Sequence, residues 1–262
     1  MSPDSATIAI RERSLPELYD LALLVVRRRP WPPLLLVLIG AGPWLALDAW
    51  LLLGSGSQTE PWAMWYPLLL LIAAQTPLAF APLTAWLGAA MFSERPSLRE
   101  ALRDGWRPWF ALLVAGVLHG VLALFPLLLL FWPAHLSEVL VLERQRLRPA
   151  WRRASALRGV ASGSGLVHLL VAALVSVASL WCLAGTVQAL GGLLLHADPW
   201  TFESWHLYMP GRSVLPHVAV WIAAAWLTIV RFLWYIDLRT RCEGWAVDLE
   251  LRENARRLEG RP

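Results

Sequence analysis

The chain has 262 residues, of which 57% are hydrophobic and only 16% charged. Soluble domains run at roughly 45–50% apolar and about 25% charged, so this composition excludes a soluble globular protein, and it excludes intrinsic disorder, which needs low hydrophobicity and high net charge. The basic excess (23 Lys+Arg against 19 Asp+Glu, net +4) is spread between apolar runs, which excludes nucleic acid as a partner, and two cysteines cannot build a disulfide scaffold.

Asp4, Glu12, Glu17 and Asp20 crowd the first thirty residues, where a secretory signal would be basic and then apolar, so the first long apolar run is itself the expected insertion signal. Ser14-Leu15-Pro16-Glu17 has the form of a capping box and predicts a short helix over 14–29, ending in Arg27, Arg28 and Arg29. A membrane-crossing helix needs about 20 mainly apolar residues. Runs at 33–53 and 66–92 satisfy that requirement. Ser97-Leu98-Arg99-Glu100 repeats the capping box and opens an amphipathic stretch over 97–107, with Leu98, Ala101, Leu102 and Trp106 on one face and Arg99, Arg103 and Arg107 on the other.

The next run, 109–142, would reach about 51 Å as one helix, far more than a bilayer accepts. Pro126 lies at its middle, and proline removes a backbone donor, so the run divides into spans at 109–125 and 127–142. A third amphipathic stretch follows at 147–160, then spans at 166–195 and 214–236, and a tail helix over 243–258. Cys182 falls inside the fifth span and Cys242 beyond the sixth, so they are not expected to pair.

Cytoplasmic loops of membrane proteins carry the excess of basic residues. With six spans and an inward N-terminus, 21 of the 23 arginines fall on the cytoplasmic side, whereas five spans would put the arginines of 144–158 outside. The expected fold is all-α: a single polytopic membrane domain over 1–262, six transmembrane helices in three hairpins, each hairpin preceded by a cytoplasmic interfacial helix, in the inner (cytoplasmic) membrane with both termini inside.

Polar groups inside a membrane are costly and are the first candidates for function. Arg231 lies about 25 Å down the sixth span and Glu143 about 24 Å down the fourth, at one level, so Glu143 is the expected partner, with Glu17 or Asp20 of the first surface helix as alternatives. Glu138 and His135 share a face at i,i+3 and suit either a metal or proton site or a packing hydrogen bond; no second such pair supports a metal. His119 and Gln75 read as interhelical hydrogen bonders. Ser162-Gly163-Ser164-Gly165 before His168 is explained by helix capping without invoking a protease. No cofactor, metal or catalytic residue is expected.

Four stretches resemble a known family, the six-helix membrane domain of some bacterial glycerophosphodiester phosphodiesterases and its free-standing relatives. They are Arg13-Ser-Leu-Pro-Glu17-Leu-Tyr-Asp20, Pro96-Ser-Leu-Arg-Glu100-Ala-Leu-Arg103, Val139-Leu-Val-Leu-Glu143, and the run from Arg231 through Tyr235, Asp237, Arg239 and Arg241 to Glu243-Gly244. The resemblance implies a bundle that supports or localises other proteins. The expected function is therefore a non-enzymatic scaffold or accessory subunit, with the anionic inner-leaflet headgroups and a membrane or cytoplasmic protein as partners. The alternative is a transporter of a small or lipid-like substrate, for which Pro77 and Pro82 and the Gly191-Gly192 break would supply discontinuous helices.

Overall fold

The computed structural model describes residues 13–54, 61–93, 95–125, 132–160 and 215–243, together with scattered positions between 167 and 193. Nine helices have described bounds among these residues: α1 (Leu15–Arg28), α2 (Trp31–Gly54), α3 (Pro61–Ala79), α4 (Ala81–Ala90), α5 (Leu98–Trp106), α6 (Trp109–Ala123), α7 (Leu136–Leu142), α8 (Leu147–Val160) and α9 (Leu215–Glu243). There is no strand among the described residues. Among the described residues three helical segments, Trp31–Leu51, Leu70–Ala90 and His217–Cys242, are long and apolar enough to cross a membrane, and α5 with α6, bent by 65°, makes a fourth if the pair is one span. The chain is a helical membrane protein. Its lipid-compatible surface is plain on α2 and α6, where Leu34, Leu35, Leu38, Phe110, Val117 and Val121 all stand exposed.

The local signals explain where most of these helices begin. At α1 both halves of the capping box form, with the Ser14 N–H donating to Glu17 Oε2 at 3.1 Å. At α5 the Glu100 N–H donates to Ser97 Oγ at 3.4 Å. α7 ends in an unmarked way: Arg144, after the cap Glu143, takes φ 53°, a left-handed position that usually calls for glycine.

Two of the expected spans carry irregular backbone among the described residues. The run 66–92 supplies one segment long enough to span, Leu70–Ala90, which carries a bend at Phe80 between α3 and α4. Pro82 in the first turn of α4 has no N–H for the Leu78 carbonyl, and the helix breaks there. Within the run 127–142 the described residues 132–142 contain α7, seven residues or about 10 Å, starting three residues beyond Pro133. Residues 126–131, including the proline chosen as the dividing point, lie outside the described residues, as do the 196–212 loop, the tail helix from 244 on, and Ser162 to Gly165 with His168. At 166–195 the described positions are helical, and Leu170, Leu174 and Trp181 are exposed.

The amphipathic helices also differ from expectation in what their apolar faces touch. Ala101 and Gly105 of α5, Ala150, Ala154 and Leu157 of α8, and Leu18 and Ala22 of α1 are buried within the protein, so these faces pack on the bundle. Small residues explain the change, since a Cβ on Gly105 would strike the Pro82 backbone. The bent pair α5–α6 thus runs along the bent pair α4–α3, with Gly105 seated at the Pro82 bend.

Glycine sets the closest approaches elsewhere too. A Cβ on Gly116 would strike the Ala74 carbonyl, one on Gly120 would crowd Ala74 and Leu70, and one on Gly40 would strike the Ala79 carbonyl. Gly116 and Gly120 have the small-xxx-small spacing that lets two membrane helices approach backbone to backbone. α9 lies at the junction of two apolar clusters: Trp221, Ile229, Phe232 and Leu233 join the α1/α2/α4 cluster, and Tyr235 joins the α6/α7/α8 cluster.

Candidate functional site

α9 carries a polar stripe through this apolar surrounding. His217, Trp221, Thr228, Arg231, Tyr235 and Arg239 recur at spacings of three, four and seven, and so share one helical face. Three groups of polar contacts form along the helix, at Trp221, at Arg231 to Tyr235 and at Asp237, spread over about 24 Å of its length.

The first centres on Asp48 of α2, which is fully buried. Its Oδ2 accepts from the Trp221 indole N–H at 3.1 Å and its Oδ1 from Gln75 Nε2 of α3 at 3.4 Å. His217 lies close enough to feel the carboxylate charge. Gln75 Oε1 and both ring nitrogens of His217 are buried without a hydrogen-bond partner among the described residues. Three helices thus converge on one carboxylate, and unused polar atoms remain beside it.

The second is the Arg231 cluster. Its guanidinium donates to Glu138 Oε1 at 2.6 Å and to Ser137 Oγ at 2.9 Å, and Ser137 Oγ in turn donates to Glu138 Oε2 at 3.0 Å. Glu138 is wholly buried, and a charge-assisted pair of this geometry offsets much of the cost of taking both ions out of water. The expected partner Glu143 is not the one used. Because α7 starts only at Leu136, Glu138 stands in its first turn facing α9, while Glu143, at the helix end, accepts from Tyr235 Oη at 2.7 Å and pairs with Arg153 of α8 at 3.5 Å. Glu17 closes its own helix cap and Asp20 is exposed, so neither serves Arg231. His135 meets Trp234 edge-on at 4.6 Å and lies 5.9 Å from the Tyr235 ring, which makes it a packing residue of this layer. His119 stacks on Trp132 at 5.2 Å.

The third fastens the start of the described chain to the end of α9. The Arg13 N–H donates to Asp237 Oδ1 at 2.8 Å, Arg241 donates to Asp237 Oδ2 at 2.9 Å, and Arg241 Nη2 donates to the Arg13 carbonyl at 2.7 Å. Nearby, Arg144 bridges to Asp104 of α5 at 2.8 Å.

Among the described residues no group of three or more His, Cys, Asp or Glu side chains could hold a metal ion. Sequence reasoning missed Asp48, His217, Ser137 and the Gly116/Gly120 contact. Asp48 was legible as the one charge in the run Trp31–Leu51, and the two glycines by their four-residue spacing. No family model, curated protein or solved structure matches the chain.

Proposed function

We propose that this chain is a non-enzymatic, six-span protein of the bacterial inner membrane, with both termini cytoplasmic, that acts as a scaffold or accessory subunit for other proteins. The observation that carries the reading is how the Arg231 layer uses its charges. Arg231 engages Glu138 and Ser137, and beside them Glu143 engages Tyr235 and Arg153, an arrangement suited to holding α7, α8 and α9 in place. The arginine distribution supports the orientation, and the resemblance to the membrane domain of glycerophosphodiester phosphodiesterases supports the supporting role. In this reading the charged outer faces of α5 and α8, with Arg103 and Arg152 exposed, lie at the cytoplasmic surface and meet the partner.

The test is site-specific photo-crosslinking in the native membrane from positions 103 and 152, with the exposed Leu38 of α2 as a control. Adducts to one and the same protein from both positions, and not from 38, support the scaffold. A purified chain that moves a solute across liposomes, with the movement abolished by Asp48→Asn, overturns it in favour of a transporter. One observation favours that second reading: the unused polar atoms of His217 and Gln75 beside buried Asp48.

A further inference from the structure

Around Asp48 the hydrogen-bond donors are spent and acceptors are left over. Both carboxylate oxygens accept, Oδ2 from the Trp221 indole and Oδ1 from the Gln75 amide. A carboxylate serves both donors in full, whereas a protonated carboxyl would give up acceptor capacity that they use. Gln75 Oε1, which can only accept, stays without a partner, as do both ring nitrogens of His217. His217 stands one turn before Trp221 on the same face of α9, within range of the carboxylate charge. Asp48, Gln75 and His217 are 0%, 4% and 3% exposed, so bulk water does not reach the site. Among the described residues no second charge balances Asp48. It is the one charged residue of α2, and α3 and α4 carry none. On α9 the nearest is Arg231, about 15 Å along the helix from Trp221 and engaged by Glu138. On α6, which packs on α3, the titratable group is His119, whose ring stacks on Trp132.

We propose that Asp48, Gln75 and His217 form a proton-binding site, in which His217 carries the proton and directs its two ring N–H groups to the Asp48 carboxylate and to Gln75 Oε1, each directly or across one water. The match is one of donors to acceptors. A neutral imidazole has one donor and one acceptor, and an imidazolium has two donors, which is what a carboxylate with free lone pairs and an unmet amide oxygen require. The same proton cancels the buried negative charge, which is costly while it stands alone. The site lies about 9 Å in from the Gly54 end of α2 and, at Trp221, about 9 Å in from the Leu215 end of α9. The proposed orientation puts those ends outside, so the proton comes from that side. A held proton serves a scaffold and a transporter equally, so the proposal rests on the assignment of the bundle to a membrane and not on the choice between them.

The experiment uses the full chain in nanodiscs, with nitrogen-labelled histidine and carbonyl-labelled proline, read by solid-state NMR. Of the six histidines only His217 follows a proline, so the Pro216-His217 pair assigns its signal on the unaltered chain. Ring-nitrogen spectra are followed from about pH 8 down to about pH 5, the range in which histidine ordinarily changes charge. At the low end His217 should carry two ring N–H groups, both slow to exchange with solvent. Asp48→Asn should weaken proton binding at His217 about tenfold or more, because the charge that attracts the proton is gone. Asp20→Asn, at an exposed position of α1, should leave it unchanged. A His217 that keeps a single ring N–H throughout overturns the proposal, since water or a protonated Asp48 then meets the unused atoms. Equal weakening by the two aspartate variants also overturns it, by showing that a diffuse field acts in place of a site. If Asp48→Asn fails to fold, the two protected N–H groups on the unaltered chain still decide. Crosslinking from 103 and 152 and solute movement in liposomes are separate readouts, so failure of this idea and failure of the scaffold reading are distinguishable.

Discussion

The Trp106 indole donates at 3.1 Å to the Leu78 carbonyl, the acceptor four residues before Pro82. Within a helix that oxygen would receive the N–H of residue 82, which proline lacks. A side chain from α5 therefore completes the bend between α3 and α4, and Gly105 lets α5 come close enough to do so. Trp106→Phe should lower stability in detergent by about 1 kcal/mol, the scale of a lost hydrogen bond of this kind. In the Pro82→Ala background the same change should cost less, because residue 82 then supplies its own donor. Equal cost in both backgrounds, measured by thermal unfolding, would mean the indole contributes by packing alone.

Removing one partner of the Arg231–Glu138 pair should be the most damaging polar substitution in the bundle. Arg231→Leu leaves a wholly buried carboxylate without its cation, a loss of about 3–5 kcal/mol. The double variant Arg231→Leu/Glu138→Leu should recover most of that, because no charge is left alone. A denaturation series on the four proteins reads the coupling, and strictly additive losses would show that the pair does not act as a pair.

Gly116→Ala forces a methyl group against the Ala74 carbonyl and should separate α6 from α3, at a cost of about 1–3 kcal/mol. Gly42→Ala meets nothing within 4 Å and should be neutral or stabilising by up to about 1 kcal/mol. Midpoints measured side by side check both signs.

Asp48→Leu should leave the Trp221 N–H and the Gln75 amide without their acceptor, a loss of about 1–3 kcal/mol. Asp48→Asn, which keeps one acceptor oxygen, should cost less. The fluorescence of a chain retaining Trp221 as its one tryptophan would respond to the former more than to the latter.

Cys242 is exposed at the end of α9. With Cys182→Ser to remove the other thiol, a membrane-impermeant maleimide should label inverted vesicles and not intact spheroplasts. Labelling in spheroplasts would reverse the proposed orientation.

Much of the helix content was legible because it rests on local chemistry. The capping boxes at Ser14 and Ser97 and the apolar runs of α2 and α9 depend on neighbours in sequence, and each produced its helix. What failed depended on distance through space. The partner of Arg231 was assigned by level along ideal helices, but α7 begins nine residues later than the expected start of its span, which turns Glu138 toward α9 and leaves Glu143 to Tyr235 and Arg153. The bend at Phe80 needed weighing Pro82 against a hydrophobic run that reads as continuous, and Arg144 in a left-handed conformation has no glycine to announce the end of α7. The amphipathic helices were assigned to a lipid surface because hydrophobicity cannot distinguish lipid from protein; the alanines and glycines on their inner faces could have, since small residues favour a solid neighbour.

The polar stripe of α9 has a consequence for biogenesis. Asp48 and Glu138 leave the ribosome well before Trp221 and Arg231 are made, so both carboxylates reach the membrane with principal partners not yet synthesised. The last helix therefore decides when the earlier ones can settle, since it brings the partners that Asp48 and Glu138 lack until it is made.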